Sequence, residues 1–278
     1  MIASQRLKTN RFFNFIKIII LIIILFFSIF PVFYMVTTSF KTPIQTYNPA
    51  IWFFKPTLEN YQNLITKFHV IPYIINSIII TSFSVVLALV LGSLAAYSLA
   101  NFDFRWKDEI AGWMLSLRYL PPMAAVIPLF LLSQLTHLYD KHLLLILAYQ
   151  SFNIPFATWM LRGFFEEIPK ELEEAAMVDG ASRWQSLLHI LLPLSRPGMF
   201  ATTALLVIQT WNEFTLAFFL TSNSARTIPT ITSQFQTVRG ILWGEMTALG
   251  VVTILPVIIF AILARKYLVR GLTFGAIK

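Results

Sequence analysis

Gln209, Asn212 and Glu213 lie within a long apolar run, 198–220, at spacing i, i+3 and i+4, so a helix would carry all three on one face. Two amides and a carboxylate so arranged can grip the hydroxyls of a passing solute. They can equally bond a neighbouring helix, a contact worth about 1 kcal/mol inside a membrane. Gln150 and Asn153 form a similar pair in an earlier apolar run. Other chemistries lack their residues. His69, His137, His142 and His189 show no metal-ligand spacing, and there is no cysteine to supply a thiolate. No phosphate-binding G-x-x-x-x-G-K-[ST] loop, nucleophile elbow or H-E-x-x-H pattern occurs, so the sequence offers no anchor for an enzyme and no means of hydrolysing ATP itself.

The longest charged segment lies between the two amide-bearing runs. It reads ELEEAAMVDGASRWQSLLHILLPLSRP from Glu171 to Pro197. Pro169 suits a first helical position, and Glu171, Glu173 and Glu174 suit the positive end of a helix dipole, which predicts a helix from Pro169 to Val178. Gly180 permits a turn that a residue with a Cβ resists. Ser182 and Gln185 form a capping box that opens a second helix, and that helix would align Trp184, Leu187, Leu188 and Leu191 before Pro193 and Pro197 end it. The segment is thus expected to be a helical hairpin with one apolar and one charged face.

Glu174-Ala175-Ala176, Gly180, Ile190 and Leu192-Pro193 stand at the spacing of the EAA loop of ABC importer permeases, and the segment resembles that loop without a gap. The resemblance implies that this hairpin docks on a separate ATPase and couples hydrolysis to transport. It makes Glu174, Ala175, Ala176, Asp179, Gly180, Ile190 and Pro193 the coupling residues. Trp211-Asn212-Glu213-Phe214 and the ending LVRGLTFGAIK resemble the smaller, six-span subunit of maltose-type carbohydrate importers.

The elements that must carry these residues are membrane spans. The chain is 57% hydrophobic and 12% charged, where soluble domains carry about 25% charged residues. Its net charge of +8 falls mainly at span ends, so no nucleic-acid partner is implied. Spans are expected at 18–36, 73–99, 110–132, 143–161, 198–220 and 247–264. The first apolar run is too long for a signal peptide. Ala88, Gly92 and Ala96 form a small-residue stripe on the second span, and Pro121, Pro122 and Pro128 should break the third, which also holds Arg118.

The fold class expected is therefore an all-α integral membrane protein with six transmembrane helices, and the resemblance makes it a type I ABC importer permease fold. The expected organisation is an N-terminus at 1–17, a six-span domain at 18–264 containing the coupling loop 162–197, and a tail at 265–278. Fourteen Lys and Arg residues fall in the segments on the hairpin's side and six in the intervening loops, which places both termini and the hairpin in the cytoplasm. The resemblance further implies a bacterial-type inner membrane and partners comprising a second permease as heterodimer, two ATPase subunits that bind ATP and Mg, and an extracytoplasmic solute-binding protein. No cofactor and no metal are expected on this chain. The implied substrate is a sugar, oligosaccharide or glycosylated polyol. A permease for phosphate or polyamine, or a secondary transporter, are the alternative readings, though repeat-related halves and buried acid-base relays of the latter kind are not visible.

Overall fold

The computed structural model describes residues 2–238 and 240–274. Met1, Arg239 and the last four residues of the tail lie outside the described residues, as do the side chains of 2–13, 264 and 266–274. The architecture is helical because a backbone in hydrocarbon must satisfy its own N–H and C=O groups. Helix α1 (Ile2–Ser39) is followed by a short α2 (Glu59–Thr66), which the proline-rich loop expected there does not anticipate, and by α3 (Val70–Asn101). Next come α4 (Lys107–Ser116), α5 (Pro122–Leu135), α6 (His142–Ala148) and α7 (Gln150–Glu166). The hairpin comprises α8 (Lys170–Val178), α9 (Arg183–Ser186), a π-helical turn over Leu187–Leu191, and α10 (Leu192–Leu194). The chain continues through α11 (Arg196–Trp211), α12 (Thr215–Leu220), a two-residue hairpin of β1 (Gln236–Thr237) and β2 (Gly240–Ile241), and α13 (Trp243–Phe274).

Among the described residues, three single helices are long and apolar enough to cross a bilayer: Asn14–Ser39, Val70–Asn101 and Trp243–Leu263. Three bent pairs bring the candidates to six. The pair Lys107–Tyr119 and Pro122–Leu135 turns through 93°, because Leu120 and Pro121 are extended and neither Pro121 nor Pro122 has an N–H to continue the helix. The pair His142–Ala148 and Gln150–Glu166 bends by 43° at Tyr149, and Pro155 lies inside α7 beyond the bend.

Contacts divide the chain into two compact units, residues 1–69 with 234–252, and residues 70–233 with 253–278. In the first, the buried Asn60 amide donates to the carbonyls of Ser39 (2.9 Å) and Lys41 (2.7 Å), and Asn63 donates to Glu245 Oε1 (2.9 Å). These bonds tie α2 to the end of α1 and the start of α13. Lys41 is 1% exposed, boxed by the Tyr34 and Phe54 rings, and burial lowers the pKa of its ammonium.

The second unit is built on α3 and α7. The small-residue stripe is where they meet: a Cβ on Gly92 would lie 2.5 Å from Ala157 Cβ, closer than carbon atoms approach. Helix α11 packs on both, with Leu206 and Val207 against Val85, Ala88, Phe156 and Ala157. At the Val70 end of α3, Asn76 donates to the carbonyls of Ser224 and Arg226 (both 2.9 Å) and meets His142 Nε2 at 2.7 Å. Ser77 Oγ accepts from the N–H of Ile228 at 2.8 Å. Asp140 accepts four backbone N–H groups, from Ser222, Asn223, Ser224 and Ala225, at 2.9–3.1 Å. Burial by itself would raise the Asp140 pKa, but these four donors hold it below the ordinary carboxylate value.

Candidate functional site

The charged hairpin is built by its own sequence. Pro169 is the N-cap of α8, with Glu171 and Glu173 in the first turn. At the other end Gly180 has φ +87°, its N–H bonds Met177 O at 3.1 Å, and the Ala181 N–H bonds Ala176 O at 2.9 Å. These two bonds form a Schellman turn, a stop that favours glycine because only glycine adopts positive φ without strain. The second helix opens on the capping box expected of Ser182 and Gln185: Gln185 N–H donates to Ser182 Oγ (3.3 Å), and Ser182 N–H donates to Gln185 Oε1 (2.7 Å).

Two details differ from the sequence reading. Trp184, Leu187, Leu188 and Leu191 do not share one buried face. Leu187 and Leu191 are buried against Ala96, Tyr97 and Ala100 of α3 and Leu161 and Phe165 of α7, whereas Trp184 and Leu188 are exposed. Only the Leu187 and Leu191 side of the hairpin meets α3 and α7, and between them runs a π-helical turn in which Leu192 N–H reaches back five residues to Leu187 O. Pro193 does not end the helix either. It follows the wide turn, and the direction changes by 77° at Ser195, after which Pro197 stands in the first turn of α11.

The expected coupling residues lie on the outer part of this hairpin. Glu174, Ala175, Asp179 and Gly180 are exposed, and Ala176, Ile190 and Pro193 are half-buried. Asp179, Gly180, Ala181, Gln185, His189 and Ile190 line an open hollow of about 420 Å³. The residue that sequence reasoning missed is Glu173. It is 7% exposed, its Oε1 accepts the Tyr97 hydroxyl at 2.5 Å, and its Oε2 accepts the Asn101 amide. No local pattern marks it, because its partners Tyr97 and Asn101, an i, i+4 pair near the end of α3, lie more than seventy residues away. Arg183 adds a second grip, its guanidinium 4.7 Å from the centroid of Phe102.

The amide-bearing residues are not brought together as one array. Helix α11 ends at Trp211, so Gln209 alone of the first trio is helical, and Glu213 leaves the shared face expected of it. Its carboxylate accepts the N–H groups of Leu216 (2.8 Å) and Ala217 (3.1 Å), which caps α12. Asn212 is exposed, with its amide on Ile208 O at 2.8 Å, and Gln209 is half-buried. Asn153 is fully buried and exchanges hydrogen bonds with Thr210 (3.0 and 3.3 Å), joining α7 to α11. Gln150 donates to Ile146 O at 2.6 Å and to Ser84 O at 3.3 Å, while its Oε1 is buried without a partner among the described residues.

Residues 88–274 match the family model described as binding-protein-dependent transport system inner membrane component. The chain is 37% identical over 257 residues to a probable ABC transporter permease protein y4oR of Sinorhizobium fredii, covering 92% of each. It is 37% identical over 254 residues to the trehalose/maltose transport system permease protein MalG of Thermococcus litoralis, covering 90% of this chain and 91% of that one. Among solved structures, a chain of a bacterial ABC transporter that imports the acidic polysaccharide alginate superposes with TM-score 0.78 at 22% identity, over 93% of this chain and 97% of that one.

Proposed function

The chain belongs to the family of inner membrane components of binding-protein-dependent transport systems, and from that premise we propose that it is the permease half of an ATP-driven carbohydrate importer. The observation that carries the reading is the hairpin, a rigid capped unit with exposed carboxylates at its tip and a buried carboxylate at its root. Such a unit can receive force from another chain and deliver it to a membrane span. This sequence has no phosphate loop, so hydrolysis is assigned to a partner ATPase, which the resemblance of the hairpin to the EAA loop makes two copies that bind ATP and Mg. The chain itself is a transport subunit and not an enzyme.

Carbohydrate is favoured over phosphate or polyamine by the trehalose/maltose relative and by the Trp211-Asn212-Glu213-Phe214 and tail resemblances. The other partners are a second, different permease and an extracytoplasmic binding protein. The hairpin and both termini face the cytoplasm of a plasma membrane, by the excess of basic residues on that side. Gln209, Asn212 and Gln150 contribute to the lining of the path, with the buried Asn153 joining α7 to α11 behind it and Glu213 holding the break between α11 and α12 in shape.

The test combines copurification with uptake. A tagged form of this chain should bring down an ATPase subunit. A strain lacking the chain should lose import of at least one sugar in a panel of labelled pentoses, hexoses and disaccharides. Normal uptake of every sugar, with loss of phosphate or polyamine import, would refute the carbohydrate assignment.

A further inference from the structure

The second arm of the hairpin and the first turns of α11 meet at the 77° turn at Ser195, and an open groove of about 550 Å³ runs across it. Leu188 and Leu192 line the groove from the hairpin, and Met199, Phe200 and Thr203 line it from α11. Thr203 adds little polarity, because its hydroxyl donates to Met199 O at 2.7 Å. The lining is otherwise apolar except for Arg196, which stands between the two sets. Arg196 is exposed, and no carboxylate pairs with it among the described residues.

The membrane boundary falls inside this groove. Arg196 stands two residues before the apolar run 198–220, at the end that the excess of basic residues places in the cytoplasm. Thr203 is seven residues further along α11, about 10 Å at 1.5 Å per residue. The groove thus leads from a cation at the boundary to apolar surface within the hydrocarbon. An anionic phospholipid carries the matching chemistries in the same order, a phosphate at the boundary and an acyl chain inside it. The planar fork of a guanidinium suits two phosphate oxygens. A helix of a partner subunit could fill the apolar part, but it would leave Arg196 without an anion unless it brought a carboxylate. The hollow at the hairpin tip is separate, and its Asp179 carboxylate would repel a phosphate.

We propose that the groove between the hairpin and α11 is a binding site for an anionic phospholipid of the cytoplasmic leaflet, with Arg196 holding the phosphate and Met199 and Phe200 against an acyl chain. Such a site needs only this membrane placement, whatever solute the importer carries. The leaflet follows from the orientation proposed above, which a reporter fusion at Glu167 tests independently of lipid binding.

The test uses the assembled importer in phosphatidylcholine vesicles that contain a trace of phosphatidylglycerol bearing a photoactivatable diazirine on its acyl chain. Adducts are located by mass spectrometry of peptides. The segment 199–203 should be labelled, and unlabelled phosphatidylglycerol should suppress the adduct. A phosphatidylcholine probe with the same diazirine should label it far less. Arg196→Gln should lower the phosphatidylglycerol adduct about fivefold, the loss expected of one basic contact with an anionic headgroup, and Arg196→Lys should retain more of it. Labelling of the other spans in the same sample should not change. Equal labelling by the two probes would mean general contact with the bilayer and would overturn the proposal, and that comparison uses the wild-type chain. Undiminished labelling in Arg196→Gln would also overturn it. So would an unlabelled segment in the assembled importer, the result expected where a partner subunit fills the groove.

Discussion

Glu173 offers the sharpest test of how the hairpin is joined to the membrane domain. Its carboxylate takes one hydrogen bond from Tyr97 and one from Asn101 at the end of α3. Hydrogen bonds to a charged group contribute about 1.5–3 kcal/mol each net of desolvation, and two bonds to one carboxylate do not add in full, so losing the pair costs about 2–3 kcal/mol. Glu173→Ala should therefore raise the population of hairpins detached from α3 by roughly 30-fold to 150-fold, at about 1.4 kcal/mol per decade. The apolar contacts of Leu187 and Leu191 remain, so the complex should still assemble. The assay is hydrolysis by the reconstituted complex, with and without loaded binding protein, beside uptake in the same vesicles. We expect uptake per ATP hydrolysed to fall about tenfold or more while hydrolysis persists. Tyr97→Phe keeps the ring and loses the hydroxyl, and should show an intermediate defect that does not add to that of Glu173→Ala. Wild-type coupling in Glu173→Ala, or defects in the two variants that simply add, would refute this account of the joint.

Gly180→Val should uncouple hydrolysis from transport or release the ATPase. A Cβ there meets nothing within 4 Å, so the cost of about 1 kcal/mol or more is backbone strain at φ +87°, and Gly180→Asn should be tolerated better in the same assay. Gly92→Val should reduce the amount of folded protein in membranes, because its Cβ would overlap Ala157 where α3 and α7 meet. Asp140 has a depressed pKa in the fold, so its stabilisation is present above the ordinary carboxylate range and is lost as pH falls through the folded value. Asp140→Asn should lower the Tm of the solubilised complex by about 3 °C or more at pH 7, and the gap to wild type should close below about pH 4. Reporter fusions at Glu167 should read cytoplasmic and fusions near Pro56 external, and a cytoplasmic reading near Pro56 would refute the first span's orientation.

The parts of this fold legible in the sequence are those governed by local rules. The Schellman glycine at 180, the capping box at Ser182 and the broken third span at Pro121-Pro122 follow from backbone chemistry within a few residues. The α3–α7 contact at Gly92 is nearly as local, since a small-residue stripe announces a close approach without naming its partner. What was not legible depends on a third element. Nothing in the spacing of Glu173 and Glu174 says which carboxylate turns inward, because the decision is made by Tyr97 and Asn101, over seventy residues away. The Gln209, Asn212 and Glu213 face failed for a related reason. Periodicity assumes that the helix continues, and the N–H groups of Leu216 and Ala217 recruit Glu213 as a cap just where it stops.

Helix α3 is gripped at both of its ends by polar side chains. At one end Tyr97 and Asn101 hold the hairpin through Glu173; at the other, Asn76 and Ser77 hold the 224–228 segment, which Asp140 anchors in turn. From Ser77 to Tyr97 is about 30 Å of uninterrupted helix, close to the thickness of the hydrocarbon core. Its buried face packs along α7 and α11 through Ala88, Gly92 and Ala96, where there is little side chain to deform. A displacement of the hairpin thus acts on a stiff helix whose far end carries the loop on the opposite face, whereas the third span, α4 to α5, is broken midway at Arg118 and can yield. On the coupling reading this difference assigns the two spans different work. The strut α3 carries motion from one face to the other, and the break lets the third span bend in response. Weakening the far grip should then mimic loss of the near one. Asn76→Leu removes both carbonyl contacts and the His142 contact while leaving the hairpin intact, and it should reduce uptake per ATP hydrolysed in the same direction as Glu173→Ala. Normal coupling in Asn76→Leu, beside an uncoupled Glu173→Ala, would show that α3 is not the element through which the two faces communicate.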